Sequence, residues 1–125
     1  MELNLNDKNT AEYVVSEFFK CWLDKDFERA RRYTQGTWRL GKDRGTLKEL
    51  LSIYDLVGFY LYDKEVITNC RHEINFRAEL LKGKKIINMY GKVNTIRETA
   101  PYMPNPKGIW GVNPISITLR WIKQK

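Results

Sequence analysis

The chain has one histidine, two cysteines and no long apolar run, and each scarcity removes a class of function. Cys21 and Cys70 are too few for a disulfide framework, and with His72 as the single histidine no Cys/His set at zinc spacing can be drawn. No metal and no cofactor is therefore expected, and both thiols read as reduced and inert. No stretch approaches the roughly 20 apolar residues of a membrane helix, and residues 1–10 lack the apolar core of a signal peptide. As written the chain reads as cytoplasmic, or as secreted or membrane-tethered if a leader precedes it. Internal repeats and low-complexity linkers are missing too, which points to one domain over residues 10–125 behind a flexible tail of residues 1–9.

What is present is a core. A hydrophobic fraction of 42%, with four Trp and seven Tyr in 125 residues, is that of a packed globular chain. The net charge of +7 favours acidic partners. Arg29, Arg32, Arg39, Lys42 and Arg44 concentrate part of that surplus and could form a basic surface for nucleic acid or another anion. No helix-turn-helix, zinc-finger or RNA-binding signature accompanies them, so a solvated face is the competing reading.

Helix signals come first along the chain and strand signals second. Asn9 with Glu12 reads as a capping box, followed by an apolar stripe at Ala11, Val14, Val15, Phe18, Phe19 and Trp22, with Glu12, Ser16, Glu17 and Lys20 off it. Asp26 is placed to cap a short second helix carrying Phe27, Ala30 and Tyr33. Residues 34–45, with three glycines and several polar residues around Trp38 and Leu40, are too punctuated for a long element. Thr46 with Glu49 opens a third helix through Leu47, Leu50, Leu51 and Tyr54. From Asp55 onward the period is two: a strand over residues 56–62, then a long one over 66–80 with Thr68, Cys70, His72, Ile74, Phe76, Ala78 and Leu80 on its inner face. A hairpin turn at Leu81–Lys84 leads into a strand over 85–97, with Met89, Gly91 and Val93 inward. A loop over 100–108 holds three of the four prolines, and the last strand covers 109–122, with Ile115 inward and a bulge or unpaired edge position at Pro114. The expected fold is α+β, with N-terminal helices packed on the concave face of a curved antiparallel sheet of about four strands.

The element order, the segment Phe18–Thr34 ("FFKCWLDKDFERARRYT") and the closing "WGVNPISITLRW" resemble the nuclear transport factor 2-like superfamily, with its cone-shaped, cystatin-like α+β fold, as found in small uncharacterised bacterial members. The resemblance implies a pocket at the wide end of the cone. That superfamily holds isomerases, dehydratases and non-catalytic domains alike, and none of its catalytic motifs can be matched here residue by residue.

Trp22, Tyr33, Trp38, Tyr60, His72, Met89 and Trp110 are the residues read as lining an apolar pocket between helices and sheet; plain core packing is the alternative. The leading functional expectation is a non-catalytic module that binds a small apolar ligand or assembles with protein, including as a homodimer. An enzyme of isomerase, dehydratase or hydrolase type would use His72 as general base with Tyr60 or Tyr33 as donor, against a core histidine satisfied by a neighbour.

Overall fold

The computed structural model describes residues 3–41 and 44–121; for Arg44, Gly45, Arg120 and Trp121 the backbone alone is described. Among the described residues four α-helices precede a six-stranded antiparallel sheet, so the fold is α+β. Helix α1, Ala11–Leu23, forms because its stripe has somewhere to go: Ala11, Val14, Val15, Phe18, Phe19 and Trp22 are all at most 6% exposed. Its cap is Thr10, whose side chain accepts from the Tyr13 N–H. Asn9 therefore does not open the helix. Glu12 and Ser16, expected in solvent, are buried as well, because the N-terminal segment covers that flank: the Asn4 N–H donates to the Glu12 carboxylate at 2.9 Å and Leu3 packs on the core.

Asp26 caps α2, Phe27–Ala30, by accepting from the Arg29 N–H, and a 3-10 turn, Arg31–Tyr33, follows. The glycine-punctuated stretch contains no more than the short helix α3, Gly36–Gly41, which is held from outside by β3 as described below, and α4, Arg44–Leu51, starts before the expected Thr46. Of the helices, α1 lies along β1, β2, β3 and β5, while α2 packs on α1 and α4.

The sheet departs from the expected count for a geometric reason. Strand β1, Asp55–Thr68, pairs with β2, Arg71–Lys82, which pairs with β3, Lys85–Ala100. Three short strands, β4 (Met103–Pro104), β5 (Ile109–Val112) and β6 (Thr118–Trp121), then share the far edge of β3. The sheet is thus four strands across but six in number. The expected last strand is broken by a 3-10 turn, Pro114–Ser116, where Asn113 caps Ile115 and proline fits the first turn. Ile115, expected inward, is 65% exposed on that turn. Thr68 and Cys70, read as inner residues of the long strand, lie instead at the end of β1 and on the turn to β2. Lys82 pairs with Lys85 across a two-residue hairpin whose first central residue, Gly83, has φ 64°.

Between α1 and the sheet the space is filled. Phe19 meets Phe76, Phe59 and Trp22 edge to face at 4.7, 5.4 and 5.6 Å, over Ile74, Ala78, Leu80 and Val93, all at most 1% exposed. No helix among the described residues is long and apolar enough to cross a membrane.

Candidate functional site

The chemistry of the molecule gathers where α3 meets the ends of β3 and β5. Thr34 bridges to Val112 and the Gln35 N–H donates to the Val112 carbonyl at 2.9 Å. Gly111 makes that approach possible, since a Cβ there would stand 2.4 Å from the Gln35 Cα. The chain then enters α3 with its first turn facing Glu98 of β3. The Thr37 N–H donates to Oε1 of Glu98 at 3.2 Å, and the Thr37 hydroxyl donates to Oε2. A carboxylate at 8% exposure thus accepts one of the orphan backbone donors in the first turn of a six-residue helix. The Thr37 hydroxyl also accepts from the Tyr102 N–H, and Arg39 donates to the Thr34 carbonyl.

Around this knot lies a cleft of about 470 Å³ lined by Arg32, Thr34, Gln35, Arg39, Glu98 and Trp110, among others. A second cleft of about 590 Å³ adjoins it between Glu28, Arg31, Arg32 and Arg39. Arg32 and Arg39 line both. Burial, followed by the charge of Arg31, pushes the Arg39 guanidinium below its ordinary pKa, with Glu98 acting in the opposite sense. Oε1 of Gln35 and Nε of Arg31 are buried with no hydrogen-bond partner among the described residues.

The seven residues read as one pocket are dispersed. Trp110 forms part of the 470 Å³ cleft. Trp22 is core, its indole N–H donating to the Leu51 carbonyl at 3.0 Å, and Met89 and Trp38 are buried too. Tyr33 is half-buried beside α2. Tyr60, 61% exposed, sits opposite Arg77 on the outer face of the sheet, away from α1. His72 and Tyr60 are therefore not brought together, because they occupy opposite faces. Of the basic residues, Arg32 and Arg39 converge, Arg29 is exposed and bonded to Tyr33, Lys42 lies outside the described residues, and the Arg44 side chain does too. Thr34, Gln35, Thr37 and Glu98 went unread. The first three fall in the glycine-punctuated stretch, and Glu98 sits on a strand.

His72 packs its ring on Trp110, centroids 4.3 Å apart, with the Arg97 guanidinium 4.9 Å from the Trp110 ring centroid. Its Nδ1 is buried without a partner among the described residues, and it is not among the residues lining the 470 Å³ cleft. Burial first, then the charge of Lys64, lower its pKa; Glu12 pulls the other way and Arg97 adds a smaller lowering. A histidine depressed in the folded state stabilises the fold above its unfolded pKa, and that contribution is lost as pH falls through the folded value. We expect an NMR titration of His72 to show a midpoint below that of free histidine. A midpoint at or above the free value would contradict the packing.

No family model matches the sequence, and no curated protein matches it. Among solved structures, the fold is similar to that of a SEC-C motif containing protein from Psychrobacter arcticus, with a TM-score of 0.68, 12% identity, and coverage of 94% of this chain and 66% of that one. At that identity the likeness shows the fold alone, and the chain spans just under two thirds of the length of that protein. The nuclear transport factor 2-like, cystatin-like resemblance is corrected by this finding: the structure that overlays nearly the whole chain is a SEC-C motif protein. The order of helices and strands that suggested the superfamily is a property of this α+β layout and does not single out that family.

Proposed function

We propose that the protein is a non-catalytic binding module that takes a small ligand through an anionic group, held between Arg32 and Arg39. The observation that carries this reading is the pair of adjoining clefts sharing those two arginines, with Arg39 partly desolvated against Arg31. Arg31 and Arg39 act on each other as like charges, and a carboxylate or phosphate bound by Arg39 and Arg32 offsets that repulsion with charge-assisted hydrogen bonds. Glu98 supplies this only in part: its charge acts on Arg39 in the favourable sense, but burial and Arg31 outweigh it, and both its oxygens already accept from Thr37. Thr34, Gln35 and Trp110 supply the mixed polar and aromatic wall usual for a small-molecule site. The helices, we infer further, sit on the concave side of a curved sheet; three bulges in β1 support that arrangement.

Calorimetric titration with inorganic phosphate, citrate and a nucleoside monophosphate at low salt tests the reading. At least one is expected to bind, and Arg32→Ala is expected to weaken it about tenfold, as removal of one charged hydrogen-bond donor does. Absence of heat with all three, or an unaltered affinity in Arg32→Ala, would remove the proposal.

A further inference from the structure

The outer face of the sheet holds a second constellation that the arginine clefts do not use. Tyr60 of β1, Arg77 of β2 and Tyr90 of β3 stand in one row across three strands. Tyr62 has no partner in register on β2, since a bulge falls at Leu61/Asp63, and its ring meets that of Tyr90 edge to face at 5.9 Å. These four residues line an open cleft of about 350 Å³. The tyrosines are 61%, 45% and 45% exposed, and Arg77 has no hydrogen bond or ion pair among the described residues.

We propose that this tyrosine and arginine platform binds single-stranded nucleic acid, with bases stacked on Tyr60 and Tyr90 and a backbone phosphate on Arg77. Exposed tyrosine rings suit planar bases of any sequence, and a guanidinium between Tyr60 and Tyr90 with no partner among the described residues suits the phosphate that joins two such bases. A cationic ligand is disfavoured because Arg77 stands at the centre of the row. An apolar protein surface would bury that charge without a partner, which is costly. A duplex keeps its bases stacked on each other and offers none to the tyrosines. Of the neighbouring acids, Glu73 is paired with Lys92 at 3.5 Å, while Glu79, two residues from Arg77 on the same face, is turned over Gly58 on β1. Glu65 and Glu73, directly opposed on β1 and β2, bound the site at one end, while the net charge of +7 favours a polyanion overall.

The test is fluorescence anisotropy of a short fluorescein-labelled oligothymidylate against the full chain at several salt concentrations. Binding is expected at low salt; Tyr60→Ala and Tyr90→Ala each weaken it about tenfold, and Tyr60→Phe restores it. Arg77→Ala is expected to weaken binding and flatten the salt dependence by about 0.7 in logarithmic slope, whereas Lys107→Ala, an exposed cation elsewhere, leaves it unaltered. The proposal is overturned by no binding at low salt, by equal binding of the corresponding duplex, or by tyrosine variants that bind like wild type. It is equally overturned if Lys107→Ala matches Arg77→Ala, or if the chain sediments as a dimer that Arg77→Glu dissociates and no oligonucleotide binds.

Discussion

Replacing Lys64 with methionine is expected to destabilise the protein by about 3–5 kcal/mol at neutral pH, the usual result of removing one partner from a buried ion pair. Lys64 reaches from β1 to both oxygens of Glu12 at 2.9 and 3.2 Å, with the Glu12 side chain fully buried and that of Lys64 at 14% exposure. Glu12 sits in the first turn of α1, where a negative charge also suits the helix dipole. Burial alone would raise its pKa, but the Asn4 N–H, Lys64 and its own backbone N–H outweigh burial and hold it below the ordinary carboxylate range. Because the folded pKa is depressed, Glu12 stabilises the wild type above its unfolded pKa, and this is lost as pH falls through the folded value. Without Lys64, burial is opposed only by the Asn4 N–H and the backbone N–H of Glu12 itself, so the carboxyl is easier to protonate and the variant loses less stability than wild type as pH drops. Urea denaturation of both proteins from neutral pH down into the carboxylate range should therefore show the difference between them shrinking. A gap that is small at neutral pH, or that does not narrow on acidification, would mean the pair is solvated. Glu12→Met combined with Lys64→Met should recover most of the loss, since no uncompensated charge is left.

Periodicity made α1 and β2 legible because each has one buried face. Ile74, Phe76, Ala78 and Leu80 alternate inward along β2 as read, and the stripe of α1 is buried residue for residue. Phase failed where the strand itself slips. A bulge between Leu56 and Gly58 shifts β1, so that Leu56, Phe59 and Leu61 turn toward the core and Tyr60 turns away, which no simple alternation supplies. The turn at Asn69–Cys70 was invisible for the opposite reason: the apolar and polar alternation runs on through it without a glycine or proline to mark the break. Glu12 looked like a solvent-facing capping residue because Lys64 lies 52 residues away in sequence.

The candidate site was less legible than the fold, since its residues are joined only in space. Arg32 and Arg39 were noted as part of a basic run, but their convergence depends on α3, which folds because Glu98, 61 residues beyond Thr37, accepts its first-turn donors. A helix held by a distant carboxylate has no local signature beyond the threonine that receives it. The aromatic residues misled in a different way. Size and apolarity place a tryptophan or tyrosine in a core or at an exposed contact with equal ease, and only strand phase separates Trp110, in the wall of the arginine cleft, from Tyr60 on the opposite face.

Phe19→Ala is expected to cost about 3–5 kcal/mol, the range for a buried phenylalanine whose site cannot collapse. Phe19 has no exposed surface and makes three edge-to-face contacts, with Phe76 at 4.7 Å, Phe59 at 5.4 Å and Trp22 at 5.6 Å. It therefore couples α1 to β1 and β2 at once. Each such pair contributes about 0.5–1.5 kcal/mol beyond the area it covers, and the rings cannot all move inward to fill the gap because they are fixed on different elements. The loss belongs near the upper end of the range for that reason. Against a total stability of about 5–15 kcal/mol for a domain of this kind, the variant retains its fold at room temperature with a much lowered midpoint in guanidinium and an unaltered slope. Tyr60→Ala on the outer face, where the ring is 61% exposed, is expected to stay within about 0.5 kcal/mol of wild type. Equal losses in the two variants would mean that the aromatic cluster under α1 is not the core of the molecule.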